Sequence, residues 1–122
     1  MCVNTGTAAV HLAVQAIGAG TGDEVLVPTL TYVASFQAVA ACGATPVACD
    51  VRETDGLLDL EDAARRLTAR TRAVMPVHYA SYVGDLDGFT PSRASMDCVS
   101  SKMRHMPSVA AIGIGRSVAS AM

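Results

Sequence analysis

Asn4-Thr5-Gly6-Thr7-Ala8 is a short polar turn that opens directly into an Ala- and Leu-rich stretch, and it is the strongest candidate for chemistry in the chain. A turn placed at the start of a helix leaves unpaired backbone N–H groups beside the positive end of the helix dipole. That arrangement suits a phosphate. Gly6 lets an anion approach the backbone, and the Thr7 hydroxyl has a proton to donate to a phosphate oxygen. A plainer reading has Thr5 or Thr7 only capping the helix, through a side-chain oxygen that accepts from a first-turn N–H. Taken alone, the pentapeptide satisfies both readings.

Other reactive residue types are scattered. The four cysteines, Cys2, Cys42, Cys49 and Cys98, form no CxxC pair and sit in apolar segments, as reduced, buried or incidental thiols do. His11, His78 and His105 are equally dispersed, so no metal site is expected. Two glycine-rich runs, Gly18-Ala19-Gly20-Thr21-Gly22 and Gly113-Ile114-Gly115, raise an alternative function, a nucleotide-binding α/β module. The first follows a helix instead of a strand, and its spacing does not fit a dinucleotide fingerprint.

These residues need elements to position them. TAAVHLAVQAI, Thr7 to Ile17, carries Val10, Val14 and Ile17 at helical spacing, and Gly18 to Gly22 supply a stop and a turn. VLVP, closed by Pro28, reads as a buried strand. A second helix is expected over Tyr32 to Cys42, ending at Gly43, and a second strand over Pro46 to Val51. Asp55-Gly56 make a turn, Asp59 is a good N-cap for a third helix over Leu60 to Leu67, and Arg72 to Tyr79 give a third strand interrupted by proline. Helix and strand alternate, which predicts an α/β domain with an at least partly parallel sheet.

Composition narrows the class further. The 122 residues are enough for one modest domain, and 51% hydrophobic with 16% charged residues argues against a disordered chain. Apolar runs stay well below the roughly 18 residues of a membrane span, and MCVNTGTAAV has no basic region ahead of an apolar core. A cytoplasmic location is therefore expected. The net charge of -2 gives no electrostatic reason for a nucleic-acid or membrane partner.

Several stretches, taken in order, resemble the DegT/StrS family of sugar aminotransferases: Gly6-Thr7-Ala8-Ala9, then HLAVQAIGAGTGDEVLVPTLTYVASFQAVAACGATPVACDV, then RTRAVMPVHY. That family has an SGTAAL-type turn, GxGxGDEVxVPxxTFxA, GAxPVxxDV and a TxAxxPVH strand, and the similarity runs nearly without gaps from Val3 to about Gly88. The resemblance implies part of a fold-type I pyridoxal-phosphate (PLP) transferase domain, three-layered around a mainly parallel sheet. It implies that Gly6, Thr7 and Ala8 hold the PLP phosphate and that Tyr32 packs on the pyridine ring. Without the family, Tyr32 reads as an ordinary core-facing helix aromatic. His78 falls in the PVH segment and is read as structural, and the Gly usual shortly after it is missing at Tyr79-Ala80-Ser81. For an intact parent the resemblance implies transfer of an amino group from an amino acid donor to a keto-sugar nucleotide by a homodimer.

PLP chemistry needs a lysine that holds the cofactor, an acid that keeps the pyridine nitrogen protonated and a phosphate cup. Only the cup is expected here, with no catalytic residue and no activity. The sole lysine, Lys102, lies in a stretch unlike the family's lysine segment. Residues 1–89 read as a partial PLP-binding domain and 90–122 as a Ser- and Met-rich tail without a native fold, so a non-functional remnant is a third reading. The tail becomes intelligible one frame over. Starting each codon on the third base of the previous one, Met96 into Asp97 must give glycine, the next step must give leucine, and Met106 into Pro107 must give alanine. The remaining steps of MDCVSSKMRHMPSV allow GLRVVEDAAHAFG, the family's VxEDAAHA-type segment, and RSVASAM allows VGxFGD. A one-frame slip near Phe89-Thr90 is inferred. The gene's nucleotide sequence tests it: a single-base change should restore that string, and its failure to do so rules the slip out.

Overall fold

The computed structural model describes residues 2–79 and the backbone of Ala110–Ala111. The first helix, α1, spans Gly6–Ala16. Thr5 caps it from an extended conformation (φ −146°, ψ 155°), its hydroxyl oxygen accepting from Ala8 N at 3.1 Å. The helix stops at Ile17, where Gly18 takes φ +70°, a backbone region open to glycine. Arg72 then grips this end. Its Nε and Nη2 donate to Ile17 O at 3.1 and 3.0 Å, placing a cation on the negative pole of α1.

Strands β1 (Glu24–Pro28), β2 (Thr45–Cys49) and β3 (Thr71–Val74) alternate with α2 (Ala34–Ala41) and α3 (Leu60–Arg66). A two-residue strand, β4 (Ala110–Ala111), completes a sheet of order β2-β1-β3-β4 in which every pairing is parallel. All five residues of β1 are buried, as a central parallel strand requires. Successive side chains leave a strand on opposite faces, so β1 contributes to two cores. Val25 and Val27 join Ala73 and Met75 under α1 and α2, where Val10, Val14, Ala38 and Val39 meet them. Leu26 packs the other way with Cys49, Val74, Leu58 and the α3 residue Ala63. Helices therefore cover both faces, and the three-layer α/β arrangement with a parallel sheet is present in part.

The elements differ from the sequence expectation at their ends. Helix α2 begins at Ala34, leaving Tyr32 outside it, with Ser35 N bonded to Tyr32 O at 3.0 Å. Strand β2 ends at Cys49 because Asp50 N donates to the Asp62 carboxylate at 2.8 Å in place of a ladder partner. Strand β3 ends at Val74, two residues before Pro76, which has no N–H to donate. Helix α3 ends at Arg66, one residue short of the expected Leu67. Strand β4 lies in the segment where the sequence shows no strand pattern; the rest of the expected tail, with Cys98, Lys102, His105 and Gly113-Ile114-Gly115, lies outside the described residues. Among the described residues no helix is long and apolar enough to cross a membrane.

Asp62 ties the second core together. Buried on α3, it accepts from Arg66 Nε, from Asp50 N and from Arg65 Nη2. The Arg66 hydrogen bond is the foremost cause, and the Asp50 N–H the next, of a carboxyl pKa lowered to about 2. A depressed acid stabilises the fold above its unfolded pKa of about 3.9, and that contribution is lost as pH falls toward the folded value. Asp62→Asn is expected to cost about 1–3 kcal/mol at neutral pH. It should also flatten the loss of stability that the native protein shows between about pH 4 and pH 2. Denaturant unfolding at a series of pH values checks both; an unchanged acid limb would mean that other carboxylates set it.

Candidate functional site

In a parallel α/β sheet the carboxyl ends of the strands are where ligands enter, because the helices that follow begin there. The chain leaves β1 at Pro28 and β3 at Val74 on this edge, and α1 also begins there. An open cleft of about 380 Å³ lies along it. One wall is the first turns of α1, with Gly6, Thr7 and Val10; the other is Thr31, Tyr32, Ala34 and Ser35 at the start of α2, with Val77 between.

Two helix N-termini thus face one space. At α1 the Thr5 hydroxyl occupies the Ala8 N–H, and Ala9 N donates to Thr5 O at 3.1 Å. The N–H groups of Gly6 and Thr7 have no acceptor among the described residues. A Cβ built on Gly6 would meet nothing within 4 Å, so the space beside this N–H is open to an anion. Capping and phosphate binding are therefore compatible: Thr5 caps, and the two preceding donors stay free. Helix α2 has no side-chain cap. Its N-cap Val33 makes no side-chain bond, and the turn is closed by the Thr31 Oγ1 to Ser35 Oγ hydrogen bond of 2.9 Å.

Tyr32 is 77% exposed on the wall of the cleft, which rules out a core-facing role. Gly6, Thr7 and Tyr32 are brought to one cleft, whereas Ala8 is not among its lining residues and has its N–H engaged by Thr5. Thr31 and Ser35 escaped the sequence reading; two hydroxyls four residues apart are common, and only the cleft gives the pair meaning. His78 is half-buried outside the lining residues. His11, on α1, buries Nε2 without a hydrogen-bond partner among the described residues.

Elsewhere the reactive groups are quiet. Burial, with the Asp62 charge adding to it and Arg66 opposing it, pushes the Cys49 thiol up to about 11, and burial also raises Cys42. Cys2 is exposed, Cys42 half-buried and Cys49 buried, and all three are free thiols. No group of three or more possible metal ligands occurs among the described residues. The Gly18–Gly22 run turns the chain from the end of α1 into β1, with Gly20 N donating to Asp23 Oδ2 at 3.0 Å. It adjoins the negative pole of α1, the wrong end for a nucleotide phosphate.

A model of the DegT/DnrJ/EryC1/StrS aminotransferase family matches residues 1–91. The chain is 49% identical over 84 residues to the GDP-perosamine synthase of Caulobacter vibrioides, covering 69% of this chain and 23% of that protein. It is 46% identical over 85 residues to the dTDP-3-amino-3,4,6-trideoxy-alpha-D-glucose transaminase of Streptomyces venezuelae, covering 70% of this chain and 22% of that one. Among solved structures, S. venezuelae DesV superposes with a TM-score of 0.74 at 35% identity, over 91% of this chain and 27% of that chain. The PLP-form of Spr1654 from Streptococcus pneumoniae gives 0.69 at 37% identity, over 71% of this chain and 22% of that chain. The chain thus spans less than a quarter of the length of the curated relatives it matches.

Proposed function

The chain belongs to the DegT/DnrJ/EryC1/StrS aminotransferase family, and on that premise we propose that its described part is the cofactor-anchoring portion of a PLP-dependent sugar aminotransferase. The observation that carries this reading is the cleft itself. It joins two free backbone donors at the positive pole of α1, an open space where a Gly6 Cβ would stand, and an exposed aromatic face. These features fit the two ends of PLP, a phosphate dianion and a flat ring.

Bound PLP supplies an electron sink through which an amino group is taken from an amino acid and delivered to a carbonyl carbon. The residues of this chain bind and orient. Gly6 and Thr7 donate their N–H groups to the phosphate, with the Thr7 hydroxyl as a third donor and the dipole of α1 adding attraction. Ala8, whose N–H serves the Thr5 cap, contributes its small side chain and leaves the approach clear. Tyr32 offers its ring face to the pyridine. Val10 and Val77 line the cleft with apolar surface, which excludes water and strengthens each polar contact.

For the whole protein, the proposed reaction is amino transfer from an amino acid to a keto-sugar nucleotide. Support comes from the nucleotide-sugar names of the two relatives at 49% and 46% identity. For this chain we carry a narrower reading, cofactor binding without transamination. The sequence has one lysine, Lys102, and nothing around it resembles the family's lysine segment. The slipped frame proposed for the tail accounts for that.

Titrating the purified chain with PLP, followed by absorbance, is expected to show saturable binding that inorganic phosphate competes away. Gly6→Asp should weaken it about 10-fold or more, because like charges a few ångströms apart near a protein surface repel by a few kcal/mol. The same variant should unfold at the native temperature or slightly above, since its side chain enters open space and an acid suits a helix start. Borohydride should trap no adduct on Lys102 that saturates together with the cleft. Lack of saturation, or full binding by Gly6→Asp, contradicts the phosphate site, and such an adduct on Lys102 contradicts the reading of the tail.

A further inference from the structure

Tyr32 poses a positioning problem. With 77% of its surface exposed, the ring has little protein packing of its own to fix its direction. It also lies outside α2, in a turn whose N-cap residue Val33 supplies no capping side chain. An aromatic platform whose side chain swings freely would lose rotamer entropy on binding, at a cost to affinity.

Two hydrogen bonds converge around this residue, and both end on Ser35. Ser35 N donates to Tyr32 O at 3.0 Å, and the hydroxyls of Thr31 and Ser35 meet at 2.9 Å. The residue before Tyr32 and the third residue after it are thereby tied by a side-chain bond that straddles it. Ser35 is 5% exposed, and Ala34 beside it is also buried, so this end of the strap is anchored in α2 and shielded from water. A shielded hydroxyl bond is stronger than one at the surface. Gln37 N donates to Val33 O at 3.0 Å, which continues the same turn into the helix.

We propose that Thr31 and Ser35 are positioning residues: their hydroxyl–hydroxyl bond closes the turn that leads into α2 and holds Tyr32 on the cleft wall. The use of that held ring rests on the reading of Tyr32 as the platform for the PLP pyridine. The strap itself is a property of the free chain and is tested without ligand.

The experiment measures the χ1 rotamer populations of Tyr32 in the full chain from three-bond couplings, with tyrosine labelled. The native protein should show one dominant rotamer. Thr31→Val keeps the side-chain shape and removes the hydroxyl; Ser35→Ala removes the other partner at a buried site. Each should lower the ratio of dominant to minor rotamers about 3- to 10-fold, the range expected for losing one hydrogen bond. Thr31→Ser, which returns the hydroxyl, should restore it, and no general loss of packing would be reversed by so small a change. Amide spectra of β1 and α1 confirm the fold, and if Thr31→Val unfolds, Ser35→Ala decides. Unchanged couplings in the folded variants overturn the proposal. A parallel PLP titration separates the two ideas: rotamer loss with no PLP saturation in the native chain supports the strap and counts against the ligand reading alone.

Discussion

Burial of β1 on both faces is the constraint from which the rest of the architecture follows. Five consecutive residues with no exposed side require a helical layer above and another below. Val25 and Val27 commit α1 and α2 to one face, while Leu26 commits α3 to the other. Once the helices are assigned, parallel pairing on both sides of β1 brings the strand exits to one edge. The starts of α1 and α2 meet there. The cleft is a consequence of topology before it is a matter of particular side chains.

The electrostatics of α1 follow the same logic. Its two poles are treated differently: Arg72 neutralises the carbonyl end through Ile17 O, while at the amide end the Gly6 and Thr7 donors have no acceptor among the described residues. A helix anchored at its negative pole and left unsatisfied at its positive one is poised for an anion. The Thr5 cap fixes where the helix begins without using those donors. The cap is therefore observed, and it leaves the phosphate reading open because the two readings call on different N–H groups.

Legibility in the sequence tracked the range of the forces involved. Thr5, Asp59, Gly18 and Gly43 act on their own neighbours, and the helices they delimit stand within a residue or two of where those signals place them. Strand ends were less readable because distant partners decide them. Asp62, twelve residues on, takes the N–H of Asp50 and so terminates β2. The start of α2 differs for a similar reason: the turn ahead of it is closed by a bond between two side chains, Thr31 and Ser35, and Tyr32 stays outside the helix. Gly6 and Thr7 could be picked out from the turn chemistry alone. Tyr32 needed the family resemblance, since an aromatic near a helix start ordinarily faces the core, and its exposure became visible only in three dimensions.

The central claim is that the cleft between the starts of α1 and α2 is an anchoring site for PLP. Backbone and tyrosine-ring chemical shifts followed through a PLP titration test it most directly. The account predicts that the largest perturbations fall on the Gly6 and Thr7 amides and the Tyr32 ring, with inorganic phosphate reproducing the amide part only. Perturbations centred on the Gly18–Gly22 turn, or spread without a focus, would contradict it.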